Sequence, residues 1–327
     1  MKAVLIQQDQ SLIWADVPDP VIKADEVLVR IEYAALNRAD LMQREGKYPP
    51  PPGCPEWMGL EISGEIVSMG PEALKESSFQ VGDKVCALLG GGGYAEFVSV
   101  RYDMLMPIPE NCSMIEAAAM PEAFATAYLN MFIEGQIQPG DTLLITAGAS
   151  GLASVMIRMA KAFGIRVITT VRKDHQVEAI RPLGADLIVN TSKEDLAEVL
   201  RAQLDAGTPV NVAIDCLGGE IMGRCLPYLA RGGRWIMIAT LAGDPTTVDL
   251  RNVYVRGIRI IGSTLRSRAP EVKAQILKSL VRDVWPIAAA GLVRPTVCSV
   301  LPITQAEEAH ALLYNGQNIG KVVLRVN

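Results

Sequence analysis

Six short apolar segments, separated by stretches long enough to form helices, occupy the chain between about residues 142 and 261. Each is rich in β-branched residues, as expected of strands that are buried on both faces. Parallel strands need crossover connections, and right-handed crossovers place helices on both faces of one sheet. The pattern therefore predicts a doubly wound parallel sheet. Its strands are predicted at 142–146, 166–170, 187–189, 211–214, 234–238 and 258–261.

The chain on either side of this region is patterned differently. Before about residue 120 it consists of short strand-like segments, and residues 26–32 alternate as a half-buried strand does. The proline run at 49–52 excludes regular structure there. Further strands are predicted at 2–6, 62–67, 84–89, 94–100, 296–301 and 321–326, and helices at 115–120, 124–132, 270–281 and 304–314.

Two domains follow from these patterns, and the fold class is α/β. The 327 residues, half of them hydrophobic, suffice for two cores at about 100 to 200 residues per domain. We predict a β-rich domain at 1–120, completed by the tail at 264–327. Residues 121–263 are predicted to form a Rossmann domain. Two domains also imply a cleft between them.

Composition excludes several classes of function. The net charge of -5 offers no electrostatic basis for binding nucleic acid or anionic membranes. No apolar stretch is long enough to cross a membrane, and the first nine residues do not resemble a signal peptide, so we expect a cytoplasmic protein. The six cysteines form no Cys-x-x-Cys pair and there are only two histidines. We therefore expect no bound metal.

The strongest local motif lies where the first strand of the predicted parallel sheet ends. A turn of small residues leads into an amphipathic helix and completes a βαβ unit. Such a turn lets a pyrophosphate reach the N–H groups at the helix start. The motif is not a complete G-x-G-x-x-G, and the alternative is a tight turn that binds nothing. The predicted dinucleotide contacts are Ala147, Gly148, Ser150, Gly151, Leu152 and Ala153.

The end of the second parallel strand bears on the choice of cofactor. The strand is followed by Arg172 and Lys173, without a carboxylate at its tip. NAD enzymes place a carboxylate there for the ribose hydroxyl, and that carboxylate would repel a 2′-phosphate. We therefore predict NADPH, with the alternative that the two cations simply begin a surface helix. Asp174 follows directly and argues for caution.

The order of these pieces identifies a family. Over almost its whole length the chain resembles the zinc-free quinone oxidoreductases of the medium-chain dehydrogenase/reductase superfamily, in the branch that contains the tumour-suppressor-inducible NADPH quinone oxidoreductase of animals. The matching segments are 35–44, 46–48, 59–64, 121–127, 150–151, 265–268 and 318–321.

The resemblance implies a GroES-like first domain, with the nicotinamide in the cleft. Zinc-dependent relatives have a Gly-His-Glu motif where this chain has Leu60 between Gly59 and Glu61, and their first zinc-ligand cysteine falls near Asn37. Without zinc as Lewis acid, the acceptor must delocalise the incoming charge itself. A quinone does so, ortho-quinones included. The alternatives are a reductase of α,β-unsaturated aldehydes or ketones and a non-catalytic NADPH-binding sensor or structural protein.

The resemblance also implies roles for individual residues. Tyr48, Asn37 and Thr126 are the expected catalytic residues. Their alternatives are a partly buried aromatic residue, a helix cap and helix packing, respectively. Asp40 and Glu61 are expected to tie a helix to a loop, and Lys321 is expected to be structural. The other cofactor contacts expected from the resemblance are Leu241, Leu265 and Asn318, besides Ser150.

The chain departs from its relatives at the adenosine end of the expected cofactor site. Gln176 stands where they have a lysine, Arg172 where they have a small residue, and Thr191 where some have a tyrosine. The phosphate contact is then expected to have moved to Arg172, or the preference for NADPH is weaker. The last parallel strand, 258–261, is expected at the edge of its sheet, where a second copy would pair to form a homodimer.

Overall fold

The structure, a computed structural model, describes residues 1–326. The chain divides into two compact units, Met1–Ala125 with the chain from Arg266 onward, and Thr126–Leu265. The strands are β1 (Lys2–Ile6), β2 (Leu12–Asp16), β3 (Glu26–Ala35), β4 (Glu61–Met69), β5 (Lys84–Leu88), β6 (Phe97–Arg101), β7 (Leu105–Pro107), β8 (Thr142–Ile145), β9 (Arg166–Val171), β10 (Leu187–Asn190), β11 (Val210–Asp215), β12 (Leu229–Met237), β13 (Arg259–Gly262), β14 (Val297–Pro302) and β15 (Lys321–Arg325). The helices are α1 (Arg38–Arg44), α2 (Pro71–Glu76), α3 (Met114–Ala118), α4 (Pro121–Tyr128), α5 (Gly151–Ala162), α6 (Asp174–Ile180), α7 (Leu196–Asp205), α8 (Gly219–Cys225), α9 (Leu250–Arg256), α10 (Pro270–Ala289) and α11 (Ala306–Tyr314).

The second unit is a doubly wound α/β domain, as predicted. Its six strands are all parallel and lie in the order β10-β9-β8-β11-β12-β13. The order reverses beside β8, and ligands of such sheets bind at the carboxyl ends of the strands near this reversal. A core of residues such as Leu144, Ile168 and Trp235 is fully buried between the sheet and its helices.

The first unit is built on a mixed sheet to which both ends of the chain contribute. The strand order is β14-β15-β3-β4-β5-β7, and β6 also pairs with β3. Strand β15 runs antiparallel to β3, so the C-terminal segment completes the sheet of the N-terminal one. The apolar side of β3 explains its place at the centre, since Val27, Val29 and Ile31 are all fully buried.

No helix among residues 1–326 is both long and apolar enough to span a membrane.

The segment predicted as helix at 124–132 is helical throughout, but its second half is not an α-helix. Helix α4 ends at Tyr128, and the π-helical turn Leu129–Glu134 follows it. The Asn130 side chain donates to the Thr126 carbonyl at 2.8 Å. A side-chain donor at that carbonyl competes with the backbone N–H that would bond to it in a regular α-helix. The next turn closes through a bond from Gly135 N–H to the Asn130 carbonyl, five residues earlier.

Three predicted boundaries are wrong. The strand predicted at 234–238 begins earlier, at Leu229. The strand predicted at 94–100 begins at Phe97; before it, Tyr94 N–H bonds to the Met58 carbonyl and Ala95 forms an isolated bridge with Ala3 of β1. The helix predicted at 270–281 continues to Ala289 through Pro286. Its buried apolar face continues to the last turn, and this packing offsets the bond that proline removes.

Candidate active site

The turn after β8 is packed tightly against the neighbouring strand β9. Ala147 has a left-handed backbone with φ of 56°, and its N–H bonds to the Thr170 hydroxyl at 3.1 Å. Gly148 N–H bonds to the Thr170 carbonyl at 2.7 Å. A Cβ on Gly148 would lie 2.4 Å from the Thr169 hydroxyl oxygen. Only glycine therefore fits at position 148 without a shift of β9.

The turn delivers the chain to the start of α5, a helix of 12 residues. Ser150 is its N-cap, and the Ser150 hydroxyl accepts a bond from Ala153 N–H at 3.2 Å. Gly151 and Leu152 stand in the first helical turn, where N–H groups have no acceptor within the helix. These two N–H groups and the positive end of the helix dipole suit a pyrophosphate. The Ser150 hydroxyl bonds to Ala153 N–H, so the cap does not use the N–H groups of Gly151 and Leu152.

Asp215 fixes the neighbouring loop at the carboxyl end of β11, and the sequence analysis missed it. Its carboxylate accepts bonds from the Thr146 hydroxyl at 2.9 Å, Leu217 N–H at 2.8 Å and Gly218 N–H at 3.1 Å. Burial raises the pKa of this carboxyl group. A cavity of about 20 Å³ beside it is lined by Ser150, Leu152 and Cys216 among others. The polar residue directly after an apolar strand was the available sequence signal.

Arg172 and Lys173 directly follow β9, where Gln176 and Asp174 make local contacts. Both side chains are exposed. The Gln176 side-chain oxygen accepts bonds from the N–H groups of Arg172 at 3.3 Å and Lys173 at 3.2 Å, so it caps α6. Asp174 is ion-paired with Lys193 at 2.7 Å, and the hydrogen bond from Lys193 is the main cause of its lowered pKa. The Asp174 carboxylate, which spoke against a phosphate site beside it, is thus paired with Lys193.

The remaining predicted site residues of the second unit differ in exposure and in hydrogen bonding. The Thr191 hydroxyl donates to the Val171 carbonyl at 3.2 Å, which ties it to the end of β9. Leu241 is 47% exposed, whereas Leu265 is buried. Thr126 is half-buried and accepts the Asn130 bond through its carbonyl. Their cofactor contacts stay predictions.

In the first unit, Asn37 belongs to a buried cluster of opposite charges. Its side-chain N–H donates to Glu61 at 3.0 Å, and its side-chain oxygen accepts from Lys321 at 2.8 Å. Lys321 also pairs with Glu61 at 2.5 Å, and the two charged side chains are 4% and 0% exposed. An amide that donates to a carboxylate and accepts from an ammonium group has one orientation. Asn37 is the N-cap residue of α1, but its side chain does not cap the helix.

These contacts of Lys321 hold the start of β15 against Asn37 and Glu61, which agrees with the structural role expected of it. The available signal was its place in the matching segment 318–321, a lysine at the start of an otherwise apolar strand. Asn318, in the same segment, donates from its side chain to the Gly320 carbonyl at 2.7 Å. This bond holds a local turn between Asn318 and Gly320.

Asp40 ties α1 to the loop before β4. Its carboxylate accepts from Asn37 N–H at 2.7 Å, Gly59 N–H at 3.2 Å and the Tyr94 hydroxyl at 3.1 Å. Burial raises the Asp40 pKa to about 6. Glu61 makes the second link, because its carboxylate accepts from Glu122 N–H at 2.8 Å. The two carboxylates connect α1, β4 and α4.

Tyr48 follows α1 and is half-buried. The Arg266 guanidinium carbon lies 5.0 Å from the centre of its ring. Burial, and after it the negative charge of Glu122, raises the pKa of the phenol, so the phenol keeps its proton at neutral pH. Burial also raises the Glu122 pKa, to about 7. The sequence analysis singled out neither Arg266 nor Glu122 as a site residue, although both lie in matching segments.

A catalytic zinc ion does not fit these residues. Leu60, in the position of the zinc-ligand histidine, is an apolar side chain that is 1% exposed. Asn37, near the position of the ligand cysteine, is hydrogen-bonded to the Lys321 ammonium group, which would repel a cation. Across residues 1–326 no three His, Cys, Asp or Glu side chains are grouped so that they could hold a metal ion.

Comparisons with known proteins agree with this architecture. A family model described as an alcohol dehydrogenase GroES-like domain matches residues 23–110, and one described as a zinc-binding dehydrogenase matches residues 151–282. A quinone oxidoreductase-like protein 2 homolog from Nematostella vectensis is 29% identical over 302 residues, which are 91% of this chain and 81% of that protein.

Solved structures extend the similarity to the whole chain. An NAD-dependent alcohol dehydrogenase is 30% identical with a TM-score of 0.84, and 100% of each chain is covered. The quinone oxidoreductase from Thermus thermophilus, whose structure was also determined in complex with NADPH, is 27% identical with a TM-score of 0.83 and 100% coverage of both chains. With its GroES-like and doubly wound units, the chain belongs to the medium-chain dehydrogenase/reductase superfamily and is an oxidoreductase of that superfamily.

Proposed function

We propose that the protein is a zinc-independent NADPH:quinone oxidoreductase that acts on ortho-quinones among other quinones. The observation that carries the proposal is the buried cluster of Asn37, Glu61 and Lys321. By the sequence resemblance, Asn37 and the neighbour of Glu61, Leu60, stand where zinc-dependent relatives have metal ligands. The donors of this cluster are engaged within it, so developing negative charge on the acceptor is stabilised by another donor, the Tyr48 phenol, and not by the cluster or by a metal Lewis acid. Such a site suits an acceptor that spreads the charge over its own π system, as a quinone does.

The preference for NADPH rests on the end of β9. Arg172 and Lys173 are exposed cations, and the nearest carboxylate, Asp174, is paired with Lys193. A guanidinium group binds phosphate through two parallel bonds, so Arg172 is assigned to the 2′-phosphate. The start of α5 is assigned to the pyrophosphate, and Gly148 allows the turn before it to pack against β9. The relative from Thermus thermophilus, which binds NADPH, supports this assignment.

Bound NADPH supplies a hydride from nicotinamide C4. The residues of this chain then have two tasks, to hold the acceptor and to stabilise the oxygen on which negative charge develops. The Tyr48 phenol donates a hydrogen bond to that oxygen, and its raised pKa keeps it a donor at neutral pH. Asn37 orients the acceptor through its fixed amide, and Thr126 is assigned to the nicotinamide side. One hydride and one proton convert the quinone to the hydroquinone.

Steady-state assays with purified protein test this function. NADPH oxidation is followed by its absorbance with phenanthrenequinone, an ortho-naphthoquinone, an alkenal and an alkenone, each corrected for nonenzymatic reduction. Quinones are expected to give the highest kcat/KM, unchanged by a zinc chelator. A higher value for the alkenal or alkenone would assign the enzyme to activated alkenes. NADPH binding without turnover of any acceptor would assign the chain to a sensor or structural role, and metal-dependent oxidation of alcohols would overturn the zinc-free reaction.

We also propose a homodimer. Strand β13 is at the edge of the parallel sheet, and Ile260 on it is 39% exposed. Helix α9, which directly precedes β13, exposes Leu250 at 73% and Tyr254 at 70%. An edge strand flanked by exposed apolar side chains favours pairing with a second copy about a two-fold axis.

A further inference from the structure

Arg266 carries a buried positive charge within the first unit that the proposed reaction does not yet use. Its side chain is buried, with the residue 4% exposed. Its N–H groups donate to the Gly90 carbonyl at 2.9 Å, the Tyr48 carbonyl at 3.1 Å and the Gln43 side-chain oxygen at 2.6 Å. All three acceptors are neutral, and they lie in three separate segments. Such a guanidinium group defines the relative positions of these segments.

The segment after Tyr48 offers few backbone donors of its own, whereas Lys47 N–H, just before it, bonds to the Met42 carbonyl at 2.8 Å. Tyr48 precedes the prolines at 49–52, which have no N–H groups to donate to a sheet or turn. The Tyr48 carbonyl is bound by Arg266, and the guanidinium carbon lies 5.0 Å from the centre of the Tyr48 ring. A cation within about 6 Å of a ring centre attracts the π face. Backbone and ring of Tyr48 are thus held by one side chain.

The other contacts of Arg266 make this support rigid. Gln43, which accepts from Arg266, also donates to the Glu56 carbonyl at 2.7 Å, on the far side of the proline run. The Arg266 carbonyl itself accepts from Lys273 at 3.4 Å, in the first turns of α10. The planar fork of arginine can serve three acceptors and a ring together, whereas the point charge of lysine cannot.

We propose that Arg266 is a positioning residue. It holds the Tyr48 phenol where it can donate its hydrogen bond to the acceptor oxygen during hydride transfer. The inference rests on the proposed function, because that function assigns Tyr48 its role. Arg266 does not touch the acceptor. It acts through the Tyr48 ring and through the carbonyl that fixes the backbone before the proline run.

The test combines a double-mutant cycle with limited proteolysis. Arg266→Met is expected to lower kcat for phenanthrenequinone about tenfold, with the dissociation constant of NADPH changed less than about twofold. In a Tyr48→Leu background the same substitution is expected to cost less than about twofold, because the group that it positions is gone. Arg282→Met, an exposed arginine on α10, is the matched control and is expected to change neither value.

Trypsin gives a readout that does not depend on turnover. Lys47 is exposed, and cleavage of the bond between Lys47 and Tyr48 is expected to accelerate at least about tenfold in Arg266→Met, as expected when a local support is removed. Arg266→Lys keeps the charge and replaces the methionine variant if that variant does not fold. A smaller acceleration and a smaller loss of kcat are then expected.

The outcomes separate the two proposals. Equal losses of kcat with and without Tyr48, or unchanged turnover and cleavage in Arg266→Met, would overturn the positioning role. A wild-type protein that turns over no quinone, while Arg266→Met still accelerates cleavage at Lys47, would overturn the proposed function and leave Arg266 as an anchor of this segment only.

Discussion

At the scale of single residues, breaking the buried Lys321–Glu61 pair is expected to destabilise the fold, because one charge stays buried without its partner. Lys321→Met leaves the Glu61 carboxylate buried without its cation, although Asn37 still donates to it. Removing one partner of a buried pair costs about 3–5 kcal/mol. We expect a loss of this size in the free energy of unfolding, measured by urea denaturation at neutral pH.

Two further variants separate burial from charge. Lys321→Met combined with Glu61→Gln removes both charges and is expected to recover most of the loss, since no isolated ion remains buried. Lys75→Met breaks the exposed pair with Glu76, whose side chains are 80% and 48% exposed, and should change stability by less than about 0.5 kcal/mol. Equal stability of the two lysine variants would contradict the buried pair.

His310 predicts a dependence of stability on pH. It is 1% exposed, packs edge-to-face on Tyr94 with ring centres 5.9 Å apart, and neither ring nitrogen has a hydrogen-bond partner within residues 1–326. Burial lowers its pKa from 6.5 to about 4. The unfolded chain therefore binds the proton first, and stability falls as pH decreases from 6.5 towards 4. At about pH 5 the loss is about 2 kcal/mol.

The His310→Leu variant is expected to lack this loss. Urea denaturation at about pH 7 and about pH 5 measures it, and the exposed His175 provides the matched control, His175→Leu. Asp40 and Glu122, whose pKa values are raised to about 6 and about 7, change stability in the opposite direction, because the folded chain binds those protons more tightly. Their effect is common to all variants. The same loss between the two pH values in His310→Leu would show that His310 is not its source.

At the scale of secondary structure, the end of β9 is expected to select the cofactor. Arg172→Glu replaces the cation assigned to the 2′-phosphate by a repelling carboxylate. Loss of a charge-assisted contact costs about 1.5–3 kcal/mol, so the dissociation constant of NADPH should rise about tenfold to a hundredfold, with little change for NADH. Quenching of protein fluorescence measures both. Arg231 is exposed near the amino end of β12, and Arg231→Glu, the matched control, should alter neither dissociation constant. Equal losses of affinity for NADPH and NADH in Arg172→Glu would remove Arg172 from the phosphate site.

The observed strands, compared with the predicted ones, show which parts of the fold the local sequence determines. Five of the six parallel strands were predicted to within one residue at each end, because short apolar, β-branched runs mark the strands of such a sheet. The start of β12 was missed by five residues, because Arg231, Gly232 and Gly233 interrupt its apolar pattern. Strands β2 and β7 were missed; β7 has only 3 residues, too few to show a period. The candidate site was predicted only in part. The contact between Lys321 and Asn37 joins residues 284 apart, and that between Arg266 and Gln43 residues 223 apart, so no local pattern contains either one.

At the scale of the whole molecule, the edge strand β13 is expected to join two copies. Ile260→Lys places a charge on the exposed edge, where two symmetry-related lysines would face the same interface. Truncation or charging of a central interface residue typically costs about 2 kcal/mol or more, so the dissociation constant of the dimer should rise about thirtyfold or more. Sedimentation equilibrium measures it. Leu74→Lys, at a position 61% exposed on α2 in the other unit, is the matched control and should leave the dimer intact. A dimer that tolerates Ile260→Lys but dissociates with Leu74→Lys would place the interface on the first unit, and a wild-type monomer would overturn the homodimer altogether.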